Sequence, residues 1–174
     1  MKISETKLKG CYLIESEPFV DERGTFARTY CENEFKVRGL CNKWVQSNMS
    51  TNIKAGTLRG IHRQVGDKGE VKLVRCVRGE IWDVAVDLRK DSETYLGWIG
   101  VRLSNTEMNS LYIPEGFGHA YLTLSDEAEV HYMVSQFYSP DSESGVRWND
   151  PKIGIEWPMH PKYISKKDSE ALLL

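Results

Sequence analysis

His62 stands in the string LRGIHRQ (residues 58–64), between Arg59 and Arg63. Histidine is the side chain whose ordinary titration lies nearest neutral pH, so general base is the chemistry it offers. Further on, Lys72 lies in the alternating run VKLVRCV (71–77). It reads either as a solvent-facing lysine or as an electrophilic partner for a developing oxyanion. If 58–64 and 71–77 pair as a hairpin around a turn at 65–70, imidazole and ammonium face one concave surface, and that is a site for proton transfer. Tyr132, between His131 and Met133, is a core or rim aromatic, or a proton donor. By sequence physics alone, Asp168 cannot be told from a helix cap.

Two other chemistries compete for the same residues. A β-barrel with histidines on adjacent strands often holds a transition metal through three or four ligands. Here the residue two beyond His62 is Gln64, so the His-x-His spacing is missing, and Glu70 and His119 are the ligands left to complete a set. We therefore expect no metal. Arg23, Arg28, Arg59 and Arg63 form a second group. Guanidinium groups bind phosphate by paired hydrogen bonds, and singly each is usually a solvated surface charge. No glycine-rich phosphate loop leads into a helix, so a diphosphate would be held by side chains.

The elements that must position these groups are short and strand-like. Alternating or β-branched runs occur at 8–14, 25–30, 44–50, 79–88, 97–103, 111–113, 119–124 and 129–135. Residues 18–24 and 104–110 read as turns, and 32–38 as one or two helical turns ended by Gly39. Beyond Pro140 the chain is loop-rich, and 165–174 is a short helical tail capped by Ser165 or Asp168. Strands at about ten-residue spacing argue for an antiparallel sandwich or barrel, a fold that commonly encloses a small ligand.

Composition narrows the class. The 174 residues suffice for one domain with a core, 1–174, and the net charge of −2 gives no reason to expect nucleic acid. No apolar run approaches the ~20 residues that span a bilayer, and the first residues lack a signal-peptide core. Cys11, Cys31, Cys41 and Cys76 form no CxxC pair, and we read them as reduced thiols in the cytoplasm.

Taken together, DERG (21–24), LRGIH (58–62), KLVR (72–75), GEIWDVAVDLR (79–89) and IPEGFGH (113–119) resemble the dTDP-4-dehydrorhamnose 3,5-epimerase family. Tyr132, WND (148–150) and GIEWP (154–158) continue the resemblance in order over nearly the whole chain. It implies an all-β, cupin-type antiparallel jelly-roll barrel with short peripheral helices. It also implies a homodimer without metal or cofactor, acting on a nucleotide-diphosphate-linked 4-keto-6-deoxy sugar. In that family His62 would remove a proton from carbon 3 or 5, Lys72 would stabilise the enolate, and Asp168 would orient His62. Tyr132 would return a proton on the opposite face. Arg59 would contact the diphosphate and His119 would line the sugar pocket. Gln46, Asn48, Arg63, Tyr138, Glu143 and Lys167 match further substrate-contacting positions. The segment carrying Arg23 would reach into the neighbouring subunit's site.

The chain departs from the family pattern at four positions. Arg63 replaces an aromatic residue, Met133 a lysine and Met49 a histidine. Arg28 stands where rhamnose-pathway enzymes carry a glutamate that accepts from thymine N3–H. Arginine only donates, which suits a base presenting acceptors, so dTDP, CDP and GDP are all candidates. Inversion at carbon 3 alone, or a 3,4-ketoisomerase, are the neighbouring reactions. A non-catalytic sugar-binding barrel is the reading from another class.

Overall fold

A computed structural model describes all 174 residues. Its strands form two facing sheets. The first runs in the order β1 (Lys2–Glu5), β2 (Tyr12–Glu15), β10 (Ser110–Ile113), β7 (Lys72–Arg78), β12 (Ala128–Val134), β5 (Gln46–Asn52). The second runs β13 (Glu143–Gly145), β6 (Thr57–Gln64), β11 (Phe117–Thr123), β8 (Glu80–Asp87), β9 (Trp98–Ser104). A two-residue strand, β14 (Tyr163–Ile164), adds to β6 in parallel; every other pairing is antiparallel. β3 (Phe19–Asp21) and β4 (Gly24–Phe26) make a separate hairpin. The architecture is a two-sheet antiparallel sandwich, as the strand spacing predicts, of the jelly-roll kind that the resemblance implies.

Alternation explains which face each strand buries. Val74, Cys76, Leu111, Ile113 and Val130 of the first sheet pack on Ile81, Ala85, Leu103 and Phe117 of the second. The opposite face of the second sheet is also covered. There Ile61, Val84, Val86 and Ala120 pack beneath Val146 and Ile153 of the long C-terminal loops. A strand buried on both faces loses its polar alternation, which is why β8 reads as nearly continuous apolar sequence. Two of its three carboxylates, Asp83 and Asp87, are fully buried. Asp87 accepts from Arg89, Ser92 and Thr94, while Asp83 serves the site below. Burial pushes the thiols of Cys11 and Cys76 up to about 12 and about 11, so both are inert core atoms. All four cysteines are free. No helix is long and apolar enough to cross a membrane.

Several local expectations change. The helix is α1 (Glu32–Lys36); Phe35 is its buried anchor, and Gly39 with φ +68° follows its end. The strand expected at 8–14 begins only at Tyr12, because Gly10 turns the chain with φ +86°. The strand expected at 25–30 stops at Phe26, and the turn at 18–24 is the β3–β4 hairpin. The helical tail is four residues, α2 (Lys166–Ser169), capped by Ser165, whose Oγ accepts from the Asp168 N–H. Beyond it the chain is strapped to the 147–152 loop. Arg147 N–H donates to Leu172 O, and Leu174 N–H donates to an Asp150 carboxylate oxygen. These bonds replace helical ones.

The largest correction concerns β6 and β7. They are not a hairpin. β6 pairs with β11 and β13, whereas β7 pairs with β10 and β12 in the facing sheet. The connection holds a turn of 3₁₀ helix (Gly66–Lys68) and carries the chain across the sandwich. Loop length does not decide this, since β8 and β9 pair across the longer connection 88–97; the choice of distant partners does.

Candidate active site

Period-two alternation would put Arg59 and His62, three residues apart, on opposite faces of β6. The observed register puts them on one face. His62 pairs with His119 and Arg59 with Tyr121, two residues apart on β11, so β6 carries one extra residue. This is a β-bulge, a device that re-aims side chains. Gly60 permits it. Its φ is +120°, and a Cβ there would lie 2.5 Å from the His119 carbonyl oxygen and 2.6 Å from Ala120 Cα. The glycine of LRGIH is therefore required by close approach of two backbones. Arg59, His62, His119 and Tyr121 all line a cavity of about 740 Å³.

Asp168 closes on His62 from the far end of the chain. His62 Nε2 lies 2.6 Å from Asp168 Oδ1, and Gly60 N–H donates to Oδ2 at 3.2 Å. The Asp168 side chain is 4% exposed. Burial alone would raise its carboxyl, but the hydrogen bond and charge of His62, with Gly60 N–H and the Ser165 hydroxyl, hold it below the ordinary value. The group is therefore ionised at neutral pH. An ionised carboxylate only accepts, so Nε2 carries a proton, and in the neutral imidazole the free lone pair is then on Nδ1. This pair makes a pH prediction. Asp168 contributes stability fully above the ordinary carboxylate value of ~3.9, and the contribution is lost as pH falls through its lower folded value. Melting temperature should therefore fall more steeply below about pH 4 in the wild type than in Asp168→Asn. The same variant is expected to lose about 10²-fold in kcat by weakening the imidazole's orientation and basicity. Parallel acid limbs in the thermal melts, or an unchanged kcat, would contradict the pairing.

Lys72 and Tyr132 approach from the facing sheet. Both line the same cavity, and both also line an adjoining one of about 350 Å³, together with His62. Burial first, then the neighbouring Tyr121 and Glu70, raise the Tyr132 hydroxyl above its ordinary value despite Arg59. It stays protonated at neutral pH, as a proton donor must. Lys72 Nζ lies 3.2 Å from Glu70 Oε1. His119 is held by a second carboxylate, Asp83, at 2.8 Å from Nε2. Arg59 Nε donates to Asn52 Oδ1 at 2.9 Å. Asn52 Oδ1 also accepts from the Tyr121 hydroxyl, which lies 2.9 Å from Ser50 Oγ.

The remaining expected residues divide by place. Gln46, Asn48, Arg63, Tyr138 and Glu143 border the smaller cavity. Gln46 and Asn48 share the partly buried face of β5 with Ser50 and Asn52. Gln46 Oε1 accepts from Tyr138 N–H at 2.8 Å, and the Tyr138 hydroxyl donates to Glu143. Glu143 pairs with Lys167 at 2.6 Å; that contact, with help from Tyr138, overcomes burial and holds its carboxyl low. Arg63 is tied to the carbonyl oxygens of Leu88 and Gly116. Arg23 and Arg28 line neither cavity; both are exposed, and Arg23 pairs with Asp21. No three His, Cys, Asp or Glu side chains are grouped to hold a metal, and Glu70 is taken up by Lys72. Met49 is exposed beside the larger cavity, and Met133 packs against the aromatic cluster around Phe35.

Sequence reading missed Asp83, Asn52 and Tyr121. A signal existed for each. Asp83 is a carboxylate on the inward parity of an apolar strand. Tyr121 is two residues past His119, and Asn52 continues the 46–48–50 alternation.

The family model for dTDP-4-dehydrorhamnose 3,5-epimerase matches residues 5–174. A dTDP-4-dehydrorhamnose 3,5-epimerase of Methanothermobacter thermautotrophicus is 48% identical over 167 residues, covering 94% of this chain and 89% of that one. The crystal structure of the enzyme of that name from Bacillus anthracis, with TDP and PPi bound, superposes with a TM-score of 0.96 at 40% identity, covering 99% of each chain. A dTDP-6-deoxy-D-glucose-3,5-epimerase from Legionella pneumophila, in complex with dTDP-4-keto-L-rhamnose, gives a TM-score of 0.92 at 35% identity, over 99% of this chain and 92% of that one.

Proposed function

The chain belongs to the dTDP-4-dehydrorhamnose 3,5-epimerase family, and from that premise we propose that it inverts carbons 3 and 5 of a dTDP-linked 4-keto-6-deoxy sugar in deoxysugar biosynthesis. The observation that carries this reading is the His62–Asp168 pair, with Nδ1 left free, in a cavity that also holds Lys72 and Tyr132. His62 Nδ1 takes the proton from a carbon beside the ketone. The C–H electrons form the C=C of an enolate, and the carbonyl electrons move onto oxygen. Lys72 faces that oxygen. The enolate then takes a proton from the Tyr132 hydroxyl on its other face, and the carbonyl re-forms with the centre inverted. The imidazolium and phenolate are reset by proton exchange with water before the second carbon reacts.

Arg59, oriented by Asn52, serves the diphosphate. His119 lines the sugar, and the smaller cavity with Tyr138 and Glu143 receives the nucleotide side, with Lys167 of the larger cavity paired to Glu143 beside it. The relatives bound to TDP and to a dTDP sugar favour dTDP. Turnover of dTDP-, CDP- and GDP-linked 4-keto sugars in deuterated water, followed by NMR, tests the assignment. We expect deuterium at both carbons and a clear dTDP preference. Label at carbon 3 alone would make it a 3-epimerase, and preference for CDP or GDP would shift recognition to Arg28.

A homodimer is part of the proposal. Phe19, Val20 and Phe26 of the β3–β4 hairpin are 66–76% exposed, and Arg23 at its turn lines neither of the two site cavities of its own chain. A second subunit accepts this hairpin and covers its apolar residues. Sedimentation at micromolar concentration measures the assembly. The free thiols suit a reducing compartment, and we place the enzyme in the cytoplasm.

A further inference from the structure

Lys72 ends a flexible four-carbon stem, and a lone ammonium would sample many positions in a cavity of this size. It is not free to do so. Glu70 Oε1 lies 3.2 Å from its Nζ, and the two side chains are only 11% and 12% exposed. Glu70 is held in turn. Its Oε2 accepts from Gln64 Nε2 at 3.4 Å, and Gln64 is itself buried on β6 in the facing sheet. The same amide nitrogen contacts the Lys68 and Phe137 carbonyl oxygens at 3.1 and 3.3 Å, and its Oε1 accepts from Ser139 N–H at 2.6 Å. Between acid and lysine, Val71 N–H donates to Ser135 Oγ at 2.8 Å, and its carbonyl accepts from Ser135 N–H. The backbone joining the pair is therefore pinned to the end of β12, close to Tyr132. Gln64, the position where a metal-binding barrel would carry its second histidine, is the hub of this arrangement.

We propose that Glu70 is a positioning residue for the epimerisation, holding the Lys72 ammonium toward the space shared by His62 and Tyr132 so that it meets the enolate oxygen without reorganisation. The inference rests on the role given to Lys72 in the proposed function. A cation fixed before charge develops stabilises the transition state more than one that must move into place. The pairing also avoids leaving a mostly buried cation alone in the resting enzyme.

The test compares Glu70→Gln, Glu70→Asp, Lys72→Met and the double variant E70Q/K72M in the full-length protein, with dTDP-4-keto-6-deoxyglucose as substrate. E70Q is expected to lower kcat about 10- to 100-fold with KM changed less than about 3-fold, because the loss falls on transition-state charge. Glu70→Asp, which keeps the charge but retracts it by one methylene, should fall between the two. E70Q/K72M should be no slower than K72M, since the acid acts only through the lysine. If E70Q melts early, Glu70→Asp decides: kcat about 3-fold or more below wild type at unchanged KM supports the proposal, and wild-type kcat overturns it. Losses that add in the double variant, or an E70Q effect on KM alone, also overturn it. Wild-type kcat in K72M would instead remove the oxyanion role of Lys72 itself, a different failure read from a different variant.

Discussion

Replacing His62 with glutamine is expected to lower kcat by about 10²–10⁴-fold and to abolish deuterium uptake at both carbon 3 and carbon 5. Glutamine is the informative choice. Its amide N–H can still donate to Asp168, so the buried carboxylate is not left without a partner, an error that alanine would introduce. What it lacks is a titratable nitrogen in place of Nδ1. Asp168 occupies Nε2, which leaves Nδ1 as the basic atom of the pair. One base serving two carbons means both exchange reactions disappear together. Deuterium uptake that persisted at either carbon would show a second base and would break the single-base reading. Melting curves of the variant at neutral pH check that the fold is intact.

Tyr132→Phe is expected to separate exchange from inversion. The substitution removes one oxygen from a mostly buried ring and keeps its packing against the core between the sheets. Enolisation by His62 and Lys72 continues, so hydrogen beside the ketone still exchanges with deuterated water. The His62 side chain is 34% exposed, enough for its captured proton to swap with solvent. The returned deuteron comes from His62 on the same face, so configuration is retained. Inversion should fall by about 10²-fold or more while exchange stays within about one order of magnitude. Equal loss of both would mean that Tyr132 also assists enolisation. Normal inversion would mean that another group supplies the proton.

Much of this protein is legible along the chain. Short strands with turns between them specify an antiparallel β-protein, because the two-residue side-chain period is a local property. Gly39 after the 32–36 helix and Ser165 before α2 are readable for the same reason, since caps and breakers act within a turn of their own position. The residue types also carry their chemistry with them. Singly, His62, Lys72, Tyr132 and Asp168 each also have a structural reading, and it is the resemblance carried by the motifs at 21–24, 58–62, 72–75, 79–89 and 113–119 that selects proton transfer.

The arrangement of those groups is not local, and there the chain read by itself pairs the wrong strands. Residues 58–64 and 71–77 look like a hairpin, yet they lie in opposite sheets, so His62 and Lys72 meet across the sandwich. That choice depends on which distant strands, β11 and β10, accept them. Asp168 reads as a cap until the strapped tail carries it back to β6, 106 residues away in sequence. The sequence by itself determined the class of fold, because alternation is a property of neighbours, and the kind of chemistry only through its ordered run of family-like motifs. Only the tertiary structure decided that Arg59 and His62 face one cavity. Simple alternation separates them, and the bulge at Gly60, fitted against the β11 backbone, rejoins them.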